Sequence, residues 1–282
     1  MTWERFGYIC RKAVVDSNEN ESISESLRRI EHEQACSLYG AKIKLNSWPR
    51  VILDRIGSMQ EKDDAKRALE IYGLLNLNDN FEEPIQFKRV LAYLCWITVI
   101  FYLVVLIYQL KVAPAFIETF ENLDMSIPRH LVYFQGYWWC FVVVVNVFLV
   151  SAFLVGLEMR NVFKFKLGVE DGFFIKYLVF SGVRKSYLKI VGILQYPFCD
   201  EPKSIAKLND EIIEHLKGVD SLGMSVAMEM KELVAIEMKL LLLESEKQLK
   251  IISAVIAIVV IAAVFFFMVG AYSPIFVLGD AV

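Results

Sequence analysis

Histidine and paired cysteine, the usual ligands of a structural metal site, are scarce in this chain. The three histidines, His32, His130 and His215, lie in different segments, and no two of the five cysteines have Cys-x-x-Cys spacing. Glu211 and His215 are one helical turn apart, but no further ligand motif accompanies them, so we interpret them as part of a solvated helix face. The sequence therefore predicts no metal site.

A phosphate-binding loop and an excess of positive charge are missing as well. No Gly-x-x-x-x-Gly-Lys-Ser/Thr segment occurs, and Gly182–Ser186 lacks the spacing of that motif. The 30 basic and 33 acidic side chains are nearly balanced, which provides no electrostatic field for the phosphates of a nucleic acid. The sequence predicts no nucleic-acid partner, no cofactor and no catalytic residue, and we do not expect an enzyme.

Three long stretches contain no Asp, Glu, Lys, Arg or His: residues 90–110, 131–157 and 251–279. About 20 apolar helical residues cross the roughly 30 Å hydrocarbon core of a bilayer, so each stretch predicts a transmembrane helix. The first five residues do not form a signal-peptide pattern, and we expect the first span to be retained. Pro274 cannot extend the hydrogen-bond ladder, so the third helix is expected to loosen near residues 271–273.

The basic residues predict the orientation of these spans. Every Lys and Arg except Lys111 and Arg129 lies in residues 1–89 or 158–250. Because basic loops mark the cytoplasmic face of a membrane, both blocks are predicted to be cytoplasmic. The loop 111–130 and the C-terminal residues 280–282 are then predicted to be periplasmic.

Helical periodicity characterises the first polar block, and strand-like alternation is rare throughout. Four helical signals follow one another: the spacing of Trp3, Phe6, Cys10 and Ala13, a capping box at Ser22 and Glu25, a helix start at Ser47-Trp-Pro49, and a helix over Ala65–Leu75. Together with the second block, they predict an all-α fold with two cytoplasmic helical-bundle domains, residues 1–89 and 158–250.

The second polar block is predicted to end in one long helix. It begins with a helix over Phe173–Phe180 that stops at Gly182, followed by a helix over Val183–Leu194. A later helix is expected to end at Gly218 as its C-cap. No residue breaks the helix from Ser221 onward, and an apolar stripe recurs at three- and four-residue steps: Leu233, Ile236, Leu240 and Leu243. We expect a rigid helix over residues 221–270 that continues into the last span.

Three sets of side chains allow two interpretations each. Arg184, Lys185 and Lys189 suit either an acidic partner or lipid head groups, or simply a solvated helix face. Met224, Met228 and Met230, with Met238, suit either an adaptable partner surface or core packing. Asn146, in the second span, is expected to hydrogen-bond either across an interface between helices of different chains or to another span of the same chain.

Three short segments resemble parts of the type II secretion F family, the inner-membrane platform proteins of type II secretion systems and type IV pili. The segment after the first span carries Pro114, Phe116, Phe120 and Pro128. The second polar block carries Ser181 and Gly182, and the C-terminal segment carries Pro274 and Phe276. The order and predicted orientation of the spans also agree with that family.

The resemblance implies a platform protein of the bacterial inner membrane that docks a hexameric assembly ATPase and transmits its motion to pilin or pseudopilin subunits. It also implies contacts with other inner-membrane assembly proteins and self-association. Type IV pilus assembly is the first expectation, and type II secretion is the alternative within the family. A small transporter or channel subunit is the alternative from another class, although the spans lack the charged groups that usually line a transport pathway.

Overall fold

The computed structural model describes residues 2–16, 21–75, 85–124, 126–127, 129–168, 172–198 and 210–279. The α-helices are α1 (Thr2–Val15), α2 (Ile23–His32), α3 (Trp48–Ser58), α4 (Lys62–Leu74), α5 (Ile85–Ile107), α6 (Ala113–Asn122), α7 (Arg129–Phe163), α8 (Phe173–Leu178), α9 (Ser181–Leu194), α10 (Asp210–Ser221) and α11 (Val226–Gly279). Short 3₁₀ segments cover Gln34–Tyr39 and Tyr196–Phe198, and no β-strand occurs in these ranges. The predicted all-α fold class is confirmed.

Three stretches of helix are long and apolar enough to cross a membrane. They cover Cys95–Asn122, Gly136–Phe163 and Val226–Gly270. Each overlaps one of the three stretches that the sequence identifies by their lack of charge. These three helices indicate a multi-pass membrane protein.

The helices form two compact units, and both polar blocks belong to the same one. Unit 1 comprises Met1–Glu83 and Glu158–Glu246, and unit 2 comprises Pro84–Leu157 and Lys247–Val282. The prediction of two separate helical bundles is therefore not confirmed. The physical reason lies in the core of unit 1, to which both blocks contribute side chains.

Tyr72 of α4 joins the two blocks at the centre of that core. Its ring meets Phe6 of α1 edge to face, with centroids 5.6 Å apart, and stacks on Phe198 of the second block at 6.1 Å. Its buried hydroxyl donates a hydrogen bond to the carbonyl oxygen of Leu194, the last residue of α9. Because the last carbonyls of a helix lack intrahelical partners, a side chain of the first block caps a helix of the second.

A second link between the blocks runs through Tyr187 of α9. Its hydroxyl accepts a hydrogen bond from the indole N–H of the buried Trp48 at 3.3 Å, and donates to the carbonyl oxygen of Lys166, also at 3.3 Å. Arg67 and Asp220 add an ion pair at the surface. Both of those side chains are exposed, so this ion pair contributes little stability compared with the buried hydrogen bonds.

Several local predictions for the first block are confirmed. The Ser22 hydroxyl accepts a hydrogen bond from the Glu25 amide at 3.2 Å, and the Glu25 carboxylate accepts one from the Ser22 amide at 3.4 Å, which is the expected capping box. Pro49 lies in the first turn of α3. The predicted inner face of α1 is buried at all four positions, Trp3, Phe6, Cys10 and Ala13.

Two glycines of the second block do not end helices where the sequence predicts. α8 ends at Leu178 and α9 begins at Ser181, so the predicted stop at Gly182 is wrong, and Gly182 lies in the first turn of α9. α10 continues through Gly218 to Ser221, so the predicted C-cap there is also wrong. In the turn that follows α10, Gly223 has a left-handed backbone conformation, with φ of 70°.

The turn at Gly223 also moves the start of the long helix. The Gly223 amide donates to the Asp220 carbonyl at 3.0 Å, and the Met224 amide donates to the Val219 carbonyl at 3.1 Å. These two bonds form the Schellman pattern that satisfies the end of α10. The long helix therefore begins at Val226 rather than at Ser221.

The first span does not end at residue 110, because the helix continues into the predicted periplasmic loop. α5 passes through a π-helical turn, Tyr108–Val112, into α6, which ends at Asn122. Pro114 lacks an N–H, and its ring would crowd the carbonyl four residues earlier in a regular α-helix. A wider turn directly before the proline relieves that crowding, so the chain stays helical past it.

The last helix also continues further than the sequence suggests. α11 passes Pro274 and ends at Gly279, so the prediction that it loosens at residues 271–273 is wrong. A proline removes one hydrogen bond from a helix, and the turns on either side can retain theirs. Pro128 and the C-terminal residues 280–282, for which the sequence makes predictions, lie outside the described residues.

Unit 2 has an apolar core to which all three candidate spans contribute. Its buried residues include Phe101 and Val105 of α5, Val145 and Leu149 of α7, and Ile256, Ala263 and Phe267 of α11. Asn146 of α7 accepts a hydrogen bond from the Tyr102 hydroxyl and donates one to the Val142 carbonyl at 3.0 Å. Of the two interpretations of Asn146, the structure therefore shows the contact with another span of the same chain.

Candidate partner-binding surfaces

Reactive side chains do not assemble into a site in the part of the chain that the structure describes. No three His, Cys, Asp or Glu residues lie close enough together to hold a metal ion there. His215 lies 2.8 Å from the Glu229 carboxylate of α11, in a partly exposed pair. Burial raises the pKa of the Cys10 thiol, so Cys10 stays protonated and chemically inert. The features that can recognise a partner are therefore surfaces.

The predicted basic cluster of α9 is divided between different environments. Lys189 lies 2.8 Å from the carboxylate of Glu237, which is only 8% exposed. Its charge is needed to balance that buried carboxylate, because an unpaired buried charge is strongly destabilising. The Nε of Arg184 is buried and makes no hydrogen bond with the described residues, while Lys185 is exposed. Lys185 is thus the member of the cluster most available to a partner or to lipid.

The four methionines near the start of α11 also divide between surface and core. Met224 and Met228 are 56% and 71% exposed, whereas Met230 and Met238 are buried. Leu222, at 76% exposure, lies in the same turn. We call Leu222, Met224 and Met228 the methionine turn. Met230 and Met238 therefore pack in the core, and Met230 is not available to a partner. For the exposed Met224 and Met228, a partner surface stays a prediction.

A second apolar surface lies further along α11. Ile236, Leu240 and Leu243 are 53%, 43% and 62% exposed, and their spacing places them on one helix face. We call these three residues the α11 stripe. The opposite face of α11 packs into unit 1 through Met230, Val234, Met238 and Leu241. The sequence identifies the stripe, but the structure shows that it faces outward.

Gly182 allows α9 to approach α11 closely. A Cβ atom at this position would lie 2.7 to 2.9 Å from the Oε2, Cδ and Cγ atoms of Glu244. The Glu244 carboxylate therefore lies against the first turn of α9, where a negative charge interacts favourably with the helix dipole. Gly182 thus leaves room for the Glu244 side chain, while Ser181 is exposed beside it.

The other residues that carry the family resemblance have separate structural environments. Pro114 is exposed, Phe116 is half-buried, and Phe120 is fully buried at the end of α6. Phe276 is 71% exposed near the end of α11. Pro274 lies within α11, where its backbone alone is described. Phe120 and Gly182 are therefore the motif residues for which the structure gives a clear packing role.

No protein-family model, no curated protein and no solved structure matches this chain. The resemblance to the type II secretion F family thus stays a prediction from the sequence. Two exposed apolar surfaces of the described residues, the methionine turn and the α11 stripe, remain as candidate partner-binding features. Both lie on or beside a helix that also supplies a candidate membrane span.

Proposed function

We propose that this chain is an inner-membrane platform protein for type IV pilus assembly. In this proposal, it docks a cytoplasmic hexameric ATPase and passes the motion of that ATPase to pilin subunits and accessory membrane proteins. The N-terminus and unit 1 lie in the cytoplasm, and the C-terminus lies in the periplasm. The same mechanism serves pseudopilins if the chain belongs to a type II secretion system.

The single observation that carries the proposal is the continuity of α11. This 54-residue helix contributes Val226–Glu246 to unit 1 and its remaining residues to unit 2. At about 1.5 Å per residue it extends roughly 80 Å, which exceeds the thickness of a bilayer with its head groups. A displacement of its first turns is therefore carried along a hydrogen-bonded rod rather than absorbed by a loop.

The methionine turn is the surface that we assign to the ATPase. It directly precedes and begins α11, so a partner bound there acts on the end of the rod. Methionine side chains are flexible and polarizable, which suits a contact that must persist while the partner changes shape. Exposed apolar side chains in water also gain free energy when a partner covers them.

The α11 stripe is the surface that we assign to a membrane-anchored partner such as a pilin. The same helix continues into the candidate span, where Ile258, Ile261 and Phe265 are 67% to 68% exposed. In this proposal, a partner helix contacts exposed apolar side chains of α11. Helices recognise each other along such faces through residues at three- and four-residue spacing.

Deletion of the gene tests the proposed function. Surface fibres should be lost while the level of pilin stays unchanged, and a plasmid copy of the gene should restore them. Loss of protein secretion with normal fibres would assign the chain to the type II secretion alternative. Normal fibres and normal secretion in the deletion strain would refute the platform function altogether.

Complementation with point variants tests the assigned surface. Met228→Lys places a charge on the methionine turn and should abolish fibres and co-purification of the ATPase without lowering the amount of protein in the membrane. Leu38→Lys is the matched control, because Leu38 is 83% exposed elsewhere in unit 1, and it should complement fully. Equal activity of the two variants would remove the methionine turn from the proposal.

Reporter fusions test the orientation. A phosphatase that is active only in an oxidising compartment should be active when fused after Val282 and inactive when fused before Met1. The positive-inside argument depends on the basic residues at the two predicted cytoplasmic blocks. A reporter at Val282 that is active only in the cytosol would contradict both the orientation and the mechanism.

A further inference from the structure

The short helix α8 leaves two aromatic rings outside the core of unit 1. Phe173 and Tyr177 are 68% and 65% exposed, and their rings pack against each other with centroids 4.8 Å apart. They are four residues apart, so they lie on one face of the helix. The other side of this segment holds it on unit 1, because Ile175 and Val179 are buried.

A lysine accompanies the aromatic pair. The Nζ of Lys176 lies 5.7 Å from the centroid of the Tyr177 ring, and no acidic residue occurs within Gly172–Leu178. Glu170 and Asp171, which precede α8 in the sequence, lie outside the described residues. The exposed face of α8 therefore combines two aromatic rings with one cation. This composition is typical of side chains at a membrane surface, where rings lie at head-group depth and lysine reaches the phosphates.

The position of α8 in the chain keeps it close to a membrane. α7 supplies a candidate span that ends at Phe163, and α8 begins at Phe173. The nine residues between them reach at most about 30 Å when fully extended. They do not extend fully, because Phe165 is buried in unit 1 and Gly168 turns the chain with φ of 73°. The segment that emerges from the bilayer therefore leads to α8 within a short distance.

Basic residues at the end of α7 indicate an anionic surface beside this segment. After the uncharged part of the span come Glu158 and then three basic residues, Arg160, Lys164 and Lys166. Lysine and arginine at such positions interact with anionic lipid head groups. A protein partner has no comparable argument in its favour, because one pair of tilted rings on a six-residue helix forms no groove for a partner side chain.

We propose that α8 is a membrane-surface anchor whose Phe173 and Tyr177 rings insert among the lipid head groups of the leaflet from which α7 emerges. Lys176 contacts lipid phosphates at the same depth. The anchor attaches unit 1 to the membrane at a point separate from the three spans. This inference requires that the candidate spans cross a membrane, and it holds whether or not the chain is a platform protein.

Photo-crosslinking of the full chain tests the anchor. p-Benzoylphenylalanine replaces Tyr177, a similarly shaped aromatic residue at an exposed position, and the purified chain is placed in nanodiscs of phosphatidylethanolamine and phosphatidylglycerol. Leu38, which is 83% exposed in the same unit, receives the same group as the control. We expect several-fold more lipid adduct at position 177 than at position 38, measured by mass spectrometry of the modified peptide.

A second position and a second environment complete the test. The same group at Phe173 should give the same lipid adduct, since both rings share one face. In native membranes, lipid should remain the main adduct at both positions. Lipid adduct no greater than at position 38, or a predominant adduct with a protein or with a second copy of the chain, would overturn the proposal.

Discussion

Removing a single hydroxyl should reveal whether the two polar blocks open together. Tyr72 is fully buried, and its hydroxyl donates to the carbonyl oxygen of Leu194 across the two blocks. Burial raises the pKa of Tyr72 well above its usual value, so the hydroxyl remains a donor at neutral pH. Tyr72→Phe keeps the ring contacts with Phe6 and Phe198 and leaves the Leu194 carbonyl without this donor.

The expected loss of stability follows from that carbonyl. A buried acceptor deprived of its partner costs about 1–3 kcal/mol, and Leu194 is fully buried. We therefore expect a loss of about 1–3 kcal/mol, which raises the population of the open state about 5- to 150-fold.

Two buried thiols report on the two blocks separately. Cys10 is fully buried in the first block, and Ser186→Cys introduces a thiol of similar size at a 7% exposed position in the second. Labelling of each of these two positions with a maleimide requires opening, so its rate measures the open population. The rate is read from the peptide that carries each position by mass spectrometry, because Cys36, Cys95 and Cys140 also have free thiols. If unit 1 opens as one body, Tyr72→Phe should accelerate labelling of both thiols by the same factor.

Tyr39→Phe provides the matched control for this experiment. The Tyr39 ring stacks on Tyr8 with centroids 4.3 Å apart, and its hydroxyl makes no hydrogen bond with the described residues. Its removal should leave both labelling rates unchanged. Acceleration at Cys10 but not at position 186 would show that the blocks open independently, and no acceleration at either thiol would show that the Tyr72 hydroxyl contributes nothing.

Two further predictions concern close packing and the membrane unit. Gly73→Ala should destabilise the chain by about 1–2 kcal/mol, because the new Cβ would lie 3.1 to 3.4 Å from the side chain and backbone of Arg11 in α1 and overpack the contact. Gly218→Ala places its new Cβ with no atom within 4 Å, so it should instead stabilise α10 by about 0.5–1 kcal/mol through helix propensity. Thermal unfolding in detergent measures the stability change of both variants. Changes of the same sign in the two variants would refute the packing argument. Asn146→Val should lower the stability of unit 2 by about 0.6–2 kcal/mol, because the Tyr102 hydroxyl loses its acceptor. Tyr102→Phe should lower the stability by a similar amount. The double variant should lose little more stability than either single variant, because both remove the same hydrogen bond.

The features that the sequence predicts correctly depend on local composition. A run of about 20 residues without charge has few stable environments other than a bilayer, so the three spans follow directly from residues 90–110, 131–157 and 251–279. The capping box at Ser22 needs only four consecutive residues, and the buried face of α1 needs only its own spacing. Each of these signals lies within one element.

The features that the sequence does not reveal depend on residues far apart in the chain. Tyr72 and Leu194 are separated by 122 positions, and no periodicity within either block indicates that they meet. The sequence also does not reveal which glycine ends a helix. Gly182, Gly218 and Gly223 all resemble helix terminators, but only the last has a positive φ, because the Val219 and Asp220 carbonyls need its turn.

The start of α11 decides which methionines reach the surface. Once Gly223 fixes the first helical residue at Val226, Met230 takes its place on the face with Val234, one turn later. Met228 then points about half a turn away and is 71% exposed. The sequence shows the cluster of methionines, but their division between core and surface depends on a turn whose position the sequence leaves open.

The polarity of α11 in unit 1 is unusual and bears on function. A helix in water normally buries its apolar side chains and exposes its polar ones. Here the buried face includes Glu237 and Ser245, while the α11 stripe exposes Ile236, Leu240 and Leu243. Such an arrangement costs free energy in the isolated chain. The buried polar groups lose their hydration, and the exposed apolar side chains do not gain the free energy of burial.

Conflicts of this kind between local polarity and burial concentrate at functional surfaces in natural proteins. The cost is recovered if another helix covers the α11 stripe, and the Lys189–Glu237 ion pair already offsets part of the cost on the buried side. The exposed α11 stripe is thus the feature of this helix that the proposed partner helix would account for, because such a helix would cover Ile236, Leu240 and Leu243.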